Sequence, residues 1–257
     1  KAVDNALAVA QANHRAFKFV PAHDGIMSNN IEVELFQGLP VVSVHQTALT
    51  GWGRMAKRMF DFFASLLGII VLSPVFIVIA VLVWLGDFGS PIFKQKRLSR
   101  FNTTINIYKF RSMNKKYSGL LPEEAFAKMG KPDLAVKYRA NGDYLKHDPR
   151  VTKIGGFIRK TSLDELPQLF NVLKGDISLV GPRALVPREL ENYPFKSLLL
   201  SVKSGITGLA QISGRKEISF EERRALDLYY VQNWSFWLDI KILFRTVIDV
   251  IGGRGAK

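Results

Sequence analysis

The sequence predicts a mixed α/β fold attached to a membrane, a small body of short strands and helices carried on an apolar helix-break-helix segment. Three observations predict it. Residues 62–85 carry no charge, and at ~1.5 Å per residue that run is long enough for a bilayer core of ~30 Å. Basic residues flank it on both sides, Arg54, Lys57 and Arg58 before and Lys94, Lys96, Arg97 and Arg100 after. From residue 91 onward, short strand-like runs alternate with helical periodicity.

Composition narrows the chemistry. With 257 residues and 47% hydrophobic content the chain can bury a core. It has no cysteine, which excludes a disulfide framework, a thiolate zinc site and a cysteine nucleophile. His14, His23, His45 and His147 are scattered and form no HExxH-type pair. A net charge of +14 calls for an anionic partner, which is nucleic acid, a phosphorylated substrate or anionic lipid.

In chain order, residues 2–17 read as an alanine-rich helix and 17–20 as a strand closed by Pro21. Residues 31–36 fit a helix or a strand, and 39–44 a strand. This is an α/β fragment over 1–53 with no glycine-rich phosphate loop, which reads as a docking or regulatory module. The chain starts at Lys1, and its first forty residues are too polar for a secretory signal, as expected of a piece of a longer protein.

The second region is 54–90. Pro74 removes a backbone donor in the middle of the apolar run, so a break is expected at Ser73-Pro74, where the Ser73 hydroxyl can serve a backbone group that the proline frees. Each half alone reaches only ~18 Å. A straight span would put one basic cluster on the wrong side, so a re-entrant hairpin returning to the same face is expected. The alternative is a tilted, proline-kinked span. The basic flanks lie where lipid headgroups would be, and no nucleic-acid motif is present.

The body, 91–257, opens with strands at 91–96 and 104–110. Lys109 and Arg111 share one face of the second, a cationic pair suited to phosphate. Residues 114–147, with a short helix at 122–129, read as an insertion. Residues 161–183, TSLDELPQLFNVLKGDISLVGPR, are the densest stretch. Leu166, Leu169, Phe170 and Leu173 recur at helical spacing, which places Asp164, Gln168 and Asn171 on the opposite face with Glu165 at its flank. Ser162 and Glu165 fit a capping box, Pro167 a helix start and Gly175 a stop. A first turn suits phosphate and favours ionised Asp164, although two first-turn acids that only stabilise a helix would look the same. A strand at 176–180 ends in Gly181-Pro182-Arg183, and the glycine-rich 204–215 offers loop N–H groups and Arg215. Ser219 and Glu222 form a second capping box for a helix through Tyr230. A last amphipathic helix begins with Trp234, Phe236 and Trp237 and suits either a membrane interface or the core.

The segments KRMFDF (57–62), Ser73-Pro74, YKFRSM (108–113), 161–183 and SGITGLAQISGR (204–215) together resemble the bacterial sugar transferase family, the monotopic phosphoglycosyl transferases that act on polyprenyl phosphate. The resemblance covers 57–251. It implies a re-entrant hairpin, an Asp164–Glu165 catalytic dyad, Mg²⁺ dependence with Asp164 as metal ligand, and transfer of a sugar phosphate from a UDP-sugar to a polyprenyl phosphate such as undecaprenyl phosphate. It implies a bacterial inner membrane with the body on the cytoplasmic face, early in exopolysaccharide, capsule or O-antigen synthesis. Residues 1–53 resemble the end of a Rossmann-like domain found in longer members. On this reading Asp164 attacks phosphorus, Glu165 assists, and Arg183 and Arg215, with Lys109 and Arg111 behind them, hold phosphate oxygens. Partners are then the UDP-sugar, the polyprenyl phosphate and membrane lipid, with homo-oligomerisation open. The rival is a non-catalytic membrane-anchored scaffold of a polysaccharide assembly complex. Ser204 and Ala184 stand where members often have proline, and 114–147 matches no motif.

Overall fold

The computed structural model describes residues 2–13, 17–19, 31–36, 39–44, 47–190, 193–214 and 218–252. Helix α1 (Ala2–Ala12) is followed by β1 (Phe17–Phe19), β2 (Ile31–Phe36) and β3 (Leu39–Val44). All three strands are antiparallel in the order β1-β3-β2, with Ile31 opposite Val44 and Phe36 opposite Leu39. The ambiguous run 31–36 is thus a strand, as its alternating Ile31, Val33 and Leu35 favour.

Helix α2 (Gly51–Asp87) runs unbroken through Ser73 and Pro74, where the sequence led us to expect an interruption. The serine accounts for the continuity. Pro74 cannot donate to the Ile70 carbonyl four residues back, and the Ser73 Oγ donates to that same carbonyl at 2.8 Å. Both arms of α2 are fastened to one body. On the first, Lys57 reaches Asp239 at 2.5 Å, and Arg58 donates to the Val172 and Leu173 carbonyls at 2.7 and 2.8 Å. Asp61 accepts from Ser178 Oγ and the Leu179 N–H. On the second, Ile79 and Val83 are buried against Phe110 and Ile158, and Asp87 pairs with Arg111. The opposite face is bare: Met55, Met59, Phe63, Leu67, Ile70, Val71, Ile77 and Val78 are among its exposed apolar residues. In water such a patch would be costly, and it marks a face made for lipid or a partner.

Next come the antiparallel hairpin of β4 (Ile92–Leu98) and β5 (Thr104–Phe110), with Phe93 opposite Lys109 and Arg97 opposite Ile105. The insertion holds two helices, α3 (Pro122–Lys128) as expected and α4 (Asp133–Ala140), whose short polar run gave no clear periodicity. Arg150 roofs this pair, its guanidinium over the Phe126 and Tyr138 rings and held by Asp148 at 2.6 Å. α5 (Lys153–Lys160) is capped by the Thr152 hydroxyl. It packs so close to the end of the hairpin that a Cβ on Gly155 would lie 1.9 Å from the Ser112 carbonyl oxygen.

After a 3₁₀ turn at Leu163–Glu165, α6 (Gln168–Lys174) leads to β6 (Ser178–Val180). The short α7 (Lys196–Leu199) precedes β7 (Gly205–Thr207), which pairs with β6 in parallel, Val180 opposite Thr207. Then follow α8 (Leu209–Ile212), α9 (Phe220–Gln232) with the expected Ser219–Glu222 capping box, and α10 (Phe236–Ile251). Val172, Ile177, Val180, Tyr230, Val231 and Ile242 form the centre of the core. α10 packs into the core through Ile242 and leaves Trp237, Phe244 and Val247 exposed.

Candidate active site

The site is assembled at the N-terminal end of α6, and its local structure corrects the sequence reading. Ser162 adopts a left-handed conformation (φ 58°) and makes no side-chain cap, so the expected Ser162–Glu165 capping box does not form. The left-handed residue costs on the order of 1 kcal/mol and turns the chain sharply between α5 and the 3₁₀ turn that bears Asp164 and Glu165. α6 buries polar residues beside apolar ones: Gln168 and Asn171 are buried along with Val172, while Phe170 is 43% exposed and lies against Phe76 of α2. The reason is the backbone of β5. Asn171 Oδ1 accepts from the Tyr108 N–H at 2.9 Å and its Nδ2 donates to the Asn106 carbonyl at 2.7 Å. One asparagine thus takes up strand groups that would otherwise be unpaired.

Leu163 and Leu166, on either side of the dyad, pack into the cluster of Ile79, Val83, Phe110 and Ile158. The two carboxylates are therefore held against the second arm of α2. They are not equivalent. Glu165 accepts from Lys109 Nζ at 2.8 Å, whereas among the described residues no side chain hydrogen-bonds the Asp164 carboxylate. Burial and the adjacent Glu165 push Asp164 up to about 6, with Lys109 and Arg159 pulling the other way. The sequence reading, in which a helix start favours the ionised form of Asp164, is corrected: α6 starts at Gln168, beyond the dyad, and desolvation raises the group instead.

Cations surround this pair. Lys109 and Arg97 lie on one face of the β4–β5 hairpin, since residues opposite each other share a face and Arg97 is opposite Ile105. Arg97 donates to Gln95 at 3.0 Å; burial and the nearby Arg183 pull its pKa below the ordinary value, while Glu189 and Glu165 oppose the shift. Arg159, from the last turn of α5, donates from Nε to Ser112 Oγ at 2.7 Å. Arg183 is exposed, and its backbone N–H is held by Asp227, a carboxylate raised to about 7 by burial against the opposing pull of Arg224 and Arg183.

Of the residues singled out from sequence, Asp164, Glu165 and Lys109 come together, and Arg183 lies within electrostatic reach of Arg97 beside them. Arg111 does not join them as a phosphate holder. It is 6% exposed, and its guanidinium is engaged by Asp87 and the Ser90 carbonyl, tying the end of α2 to β5. Arg215 lies outside the described residues. The N–H groups of Gly181 and Gly205, part of the two glycine-rich passages, bond the carbonyls of Thr207 and Pro182 and so are closed to a ligand. Sequence reasoning missed Arg97, which it read as a membrane-flanking cation, and Arg159, to which it gave no role. Strand parity with Lys109 was the available signal for Arg97; none pointed to Arg159.

Among the described residues no cluster of three or more His, Cys, Asp or Glu side chains exists. An all-protein metal cage is therefore absent from them. One free carboxylate with a second beside it fits Mg²⁺, which takes one or two carboxylates, waters and substrate phosphates.

The family model described as bacterial sugar transferase matches residues 52–253. The chain is 42% identical over 205 residues to the exopolysaccharide production protein ExoY of Rhizobium meliloti, covering 79% of this chain and 89% of that protein. It is 38% identical over 246 residues to the undecaprenyl-phosphate galactose phosphotransferase of Salmonella typhimurium, 94% of this chain and 50% of that one. To the UDP-glucose:undecaprenyl-phosphate glucose-1-phosphate transferase of Escherichia coli it is 40% identical over 233 residues, 87% of this chain and 46% of that one. The chain thus spans about half the length of the last two relatives.

Proposed function

The chain belongs to the bacterial sugar transferase family, and from that premise we propose that it transfers a sugar 1-phosphate from a UDP-sugar to a polyprenyl phosphate, releasing UMP. The observation that carries the proposal is the asymmetry of the dyad: Glu165 is held by Lys109, and Asp164, raised to about 6, faces cations without a side-chain hydrogen bond. Near neutral pH such a carboxylate is mostly ionised, poorly solvated and free to act as a nucleophile.

Asp164 attacks the β-phosphorus of the UDP-sugar. A bond from its carboxylate oxygen to phosphorus forms, the bridging bond to the α-phosphate breaks, and UMP departs with the bridging oxygen. A phosphate oxygen of the polyprenyl phosphate then attacks the same phosphorus and expels the aspartate, giving a polyprenyl diphosphosugar. Arg97, destabilised as a cation by burial and by the nearby Arg183, and the exposed Arg159 and Arg183 hold the diphosphate, whose charge offsets theirs. Lys109 orients Glu165 and offsets the charge of the dyad. Asp164, with Glu165 beside it, would hold Mg²⁺, which when bound would neutralise charge on the diphosphate and its leaving group.

We place α2 as a re-entrant segment in the bacterial inner membrane, with the body on the cytoplasmic face. Support comes from the fastening of both arms. Lys57, Arg58 and Asp61 on one side of Pro74 and Asp87 on the other bind the same body, which favours both ends on one side of the bilayer. A shallow insertion lets the lipid-borne phosphate approach a site fed from water. The test is UMP release by the full chain in lipid nanodiscs, scanned over UDP-sugars. Release that requires polyprenyl phosphate for turnover and disappears in Asp164→Asn supports the reading; a native rate in that variant refutes it.

A further inference from the structure

The two ends of α6 carry different charges of work. The dyad precedes its N-terminus, and at its C-terminus, ~12 Å away along the axis, a second cationic pocket opens. Arg54, Lys57, Arg58, Arg100 and Lys203 line it with a single carboxylate, Asp61. Three of these groups already have anionic or dipolar partners. Lys57 is paired with Asp239, Asp61 is bound by Ser178 and Leu179, and Arg58 caps the α6 carbonyls. The other three cations have main-chain partners at most. Arg54 donates to the Leu49 carbonyl and Arg100 to the Ser201 carbonyl, and among the described residues no carboxylate forms an ion pair with Arg54, Arg100 or Lys203. Lys203 and Arg100 are half-buried, and burial pulls both below their ordinary values. Arg58 and Arg100 add to the effect on Lys203 while Asp61 and Asp176 oppose it, and Arg54 adds to that on Arg100.

Like charges gathered in a part-buried pocket repel one another and call for an anion. The surroundings specify which. The pocket is flanked by the first arm of α2, whose outward residues Met55, Met59 and Phe63 are 57%, 58% and 60% exposed. Phe101, beneath the Arg100 guanidinium at 4.0 Å, is exposed as well. A phosphate with an apolar tail fits such a setting, its headgroup among the cations and its chains along the helix.

We propose that this pocket binds the phosphate of an anionic phospholipid and seats the first arm of α2 at the bilayer surface. The inference rests on the membrane placement given above and not on the chemistry of Asp164. Arginine forks and a lysine supply the headgroup contacts, and a juxtamembrane cation gains about 1 kcal/mol near an anionic surface.

The experiment is native mass spectrometry of the full chain from mixed micelles holding equal phosphatidylglycerol and phosphatidylcholine, with UMP release measured in parallel. The wild type is expected to retain one phosphatidylglycerol in preference to phosphatidylcholine by about tenfold. Arg100→Ala/Lys203→Ala is expected to lose that preference, whereas Lys94→Ala/Lys96→Ala, which removes two exposed cations elsewhere, is expected to keep it. Asp164→Asn is expected to keep it too while losing UMP release, so the two readings fail separately. Equal retention of both lipids, equal loss in the two double variants, or displacement of the lipid by inorganic phosphate overturns the proposal. Retention of the preference by Arg100→Ala/Lys203→Ala does so as well.

Discussion

The Lys109 ammonium lies 2.8 Å from Glu165 Oε1, so one carboxylate of the dyad is neutralised while its neighbour Asp164 is left open. Lys109→Met removes both the partner of Glu165 and a charge that holds Asp164 down. UMP release is expected to fall by about a hundredfold or more, the usual effect of losing one preorganised electrostatic group. The acid limb of the pH–rate profile should also move upward, which simple misfolding would not produce.

Asp164 makes the pH dependence a direct readout. Its folded pKa of about 6 exceeds the ordinary 3.8, and the proposed nucleophile is the ionised form. Single-turnover UMP release should therefore decline about tenfold per pH unit below that value. Stability runs the other way. Between the two values the native state binds more protons than the unfolded chain, so stability falls as pH rises through this window. Asp164→Asn escapes that loss, and it should be more stable than the parent above about pH 6, by on the order of 1 kcal/mol, with the gap closing toward pH 4. Thermal unfolding in detergent at both pH values checks it.

The proposed re-entrant topology of α2 draws its support from two fastenings, Arg58 on α6 and Asp87 on Arg111. The chain lacks cysteine, so single substitutions report cleanly. Trp52→Cys and Phe88→Cys in inverted and right-side-out vesicles should both react with an impermeant thiol reagent from the cytoplasmic face. Labelling of the two from opposite faces would refute the re-entrant placement.

Adjacent glycines of α5 should behave oppositely. A Cβ at Gly155 would meet the Ser112 carbonyl oxygen at 1.9 Å, while one at Gly156 meets nothing within 4 Å. Gly155→Ala must push α5 off the hairpin, displacing Arg159 from Ser112, and should cost at least 1–3 kcal/mol and most of the activity. Gly156→Ala should be neutral or stabilising by about 0.5–1 kcal/mol. Unfolding midpoints and UMP release measured on both variants decide the matter.

The parts of the molecule legible in sequence were those set by local chemistry. The β4–β5 strands, the Ser219–Glu222 box, the α3 helix and the service of a proline-freed carbonyl by Ser73 all rest on residues a few positions apart. Periodicity was right that Leu166 and Leu169 pack inward, but it could not show that Asn171, on the polar side, is also 0% exposed and bonded to strand β5 some 65 residues earlier. The site was half legible for the same reason. Asp164 and Glu165 are neighbours in the chain, but Arg97 and Arg159 reach them only through the hairpin and α5, and Arg111 was drawn away by Asp87 on a helix the periodicity could not dock.

The central claim is that Asp164 becomes covalently linked to the transferred group. Intact-protein mass spectrometry after incubation of the full chain with a UDP-sugar and Mg²⁺, without polyprenyl phosphate, tests it most directly. The expected result is a mass increase of one sugar phosphate that maps to Asp164, vanishes in Asp164→Asn and is discharged by added polyprenyl phosphate. UMP release at the native rate with no adduct, or an adduct that persists in Asp164→Asn, would contradict it.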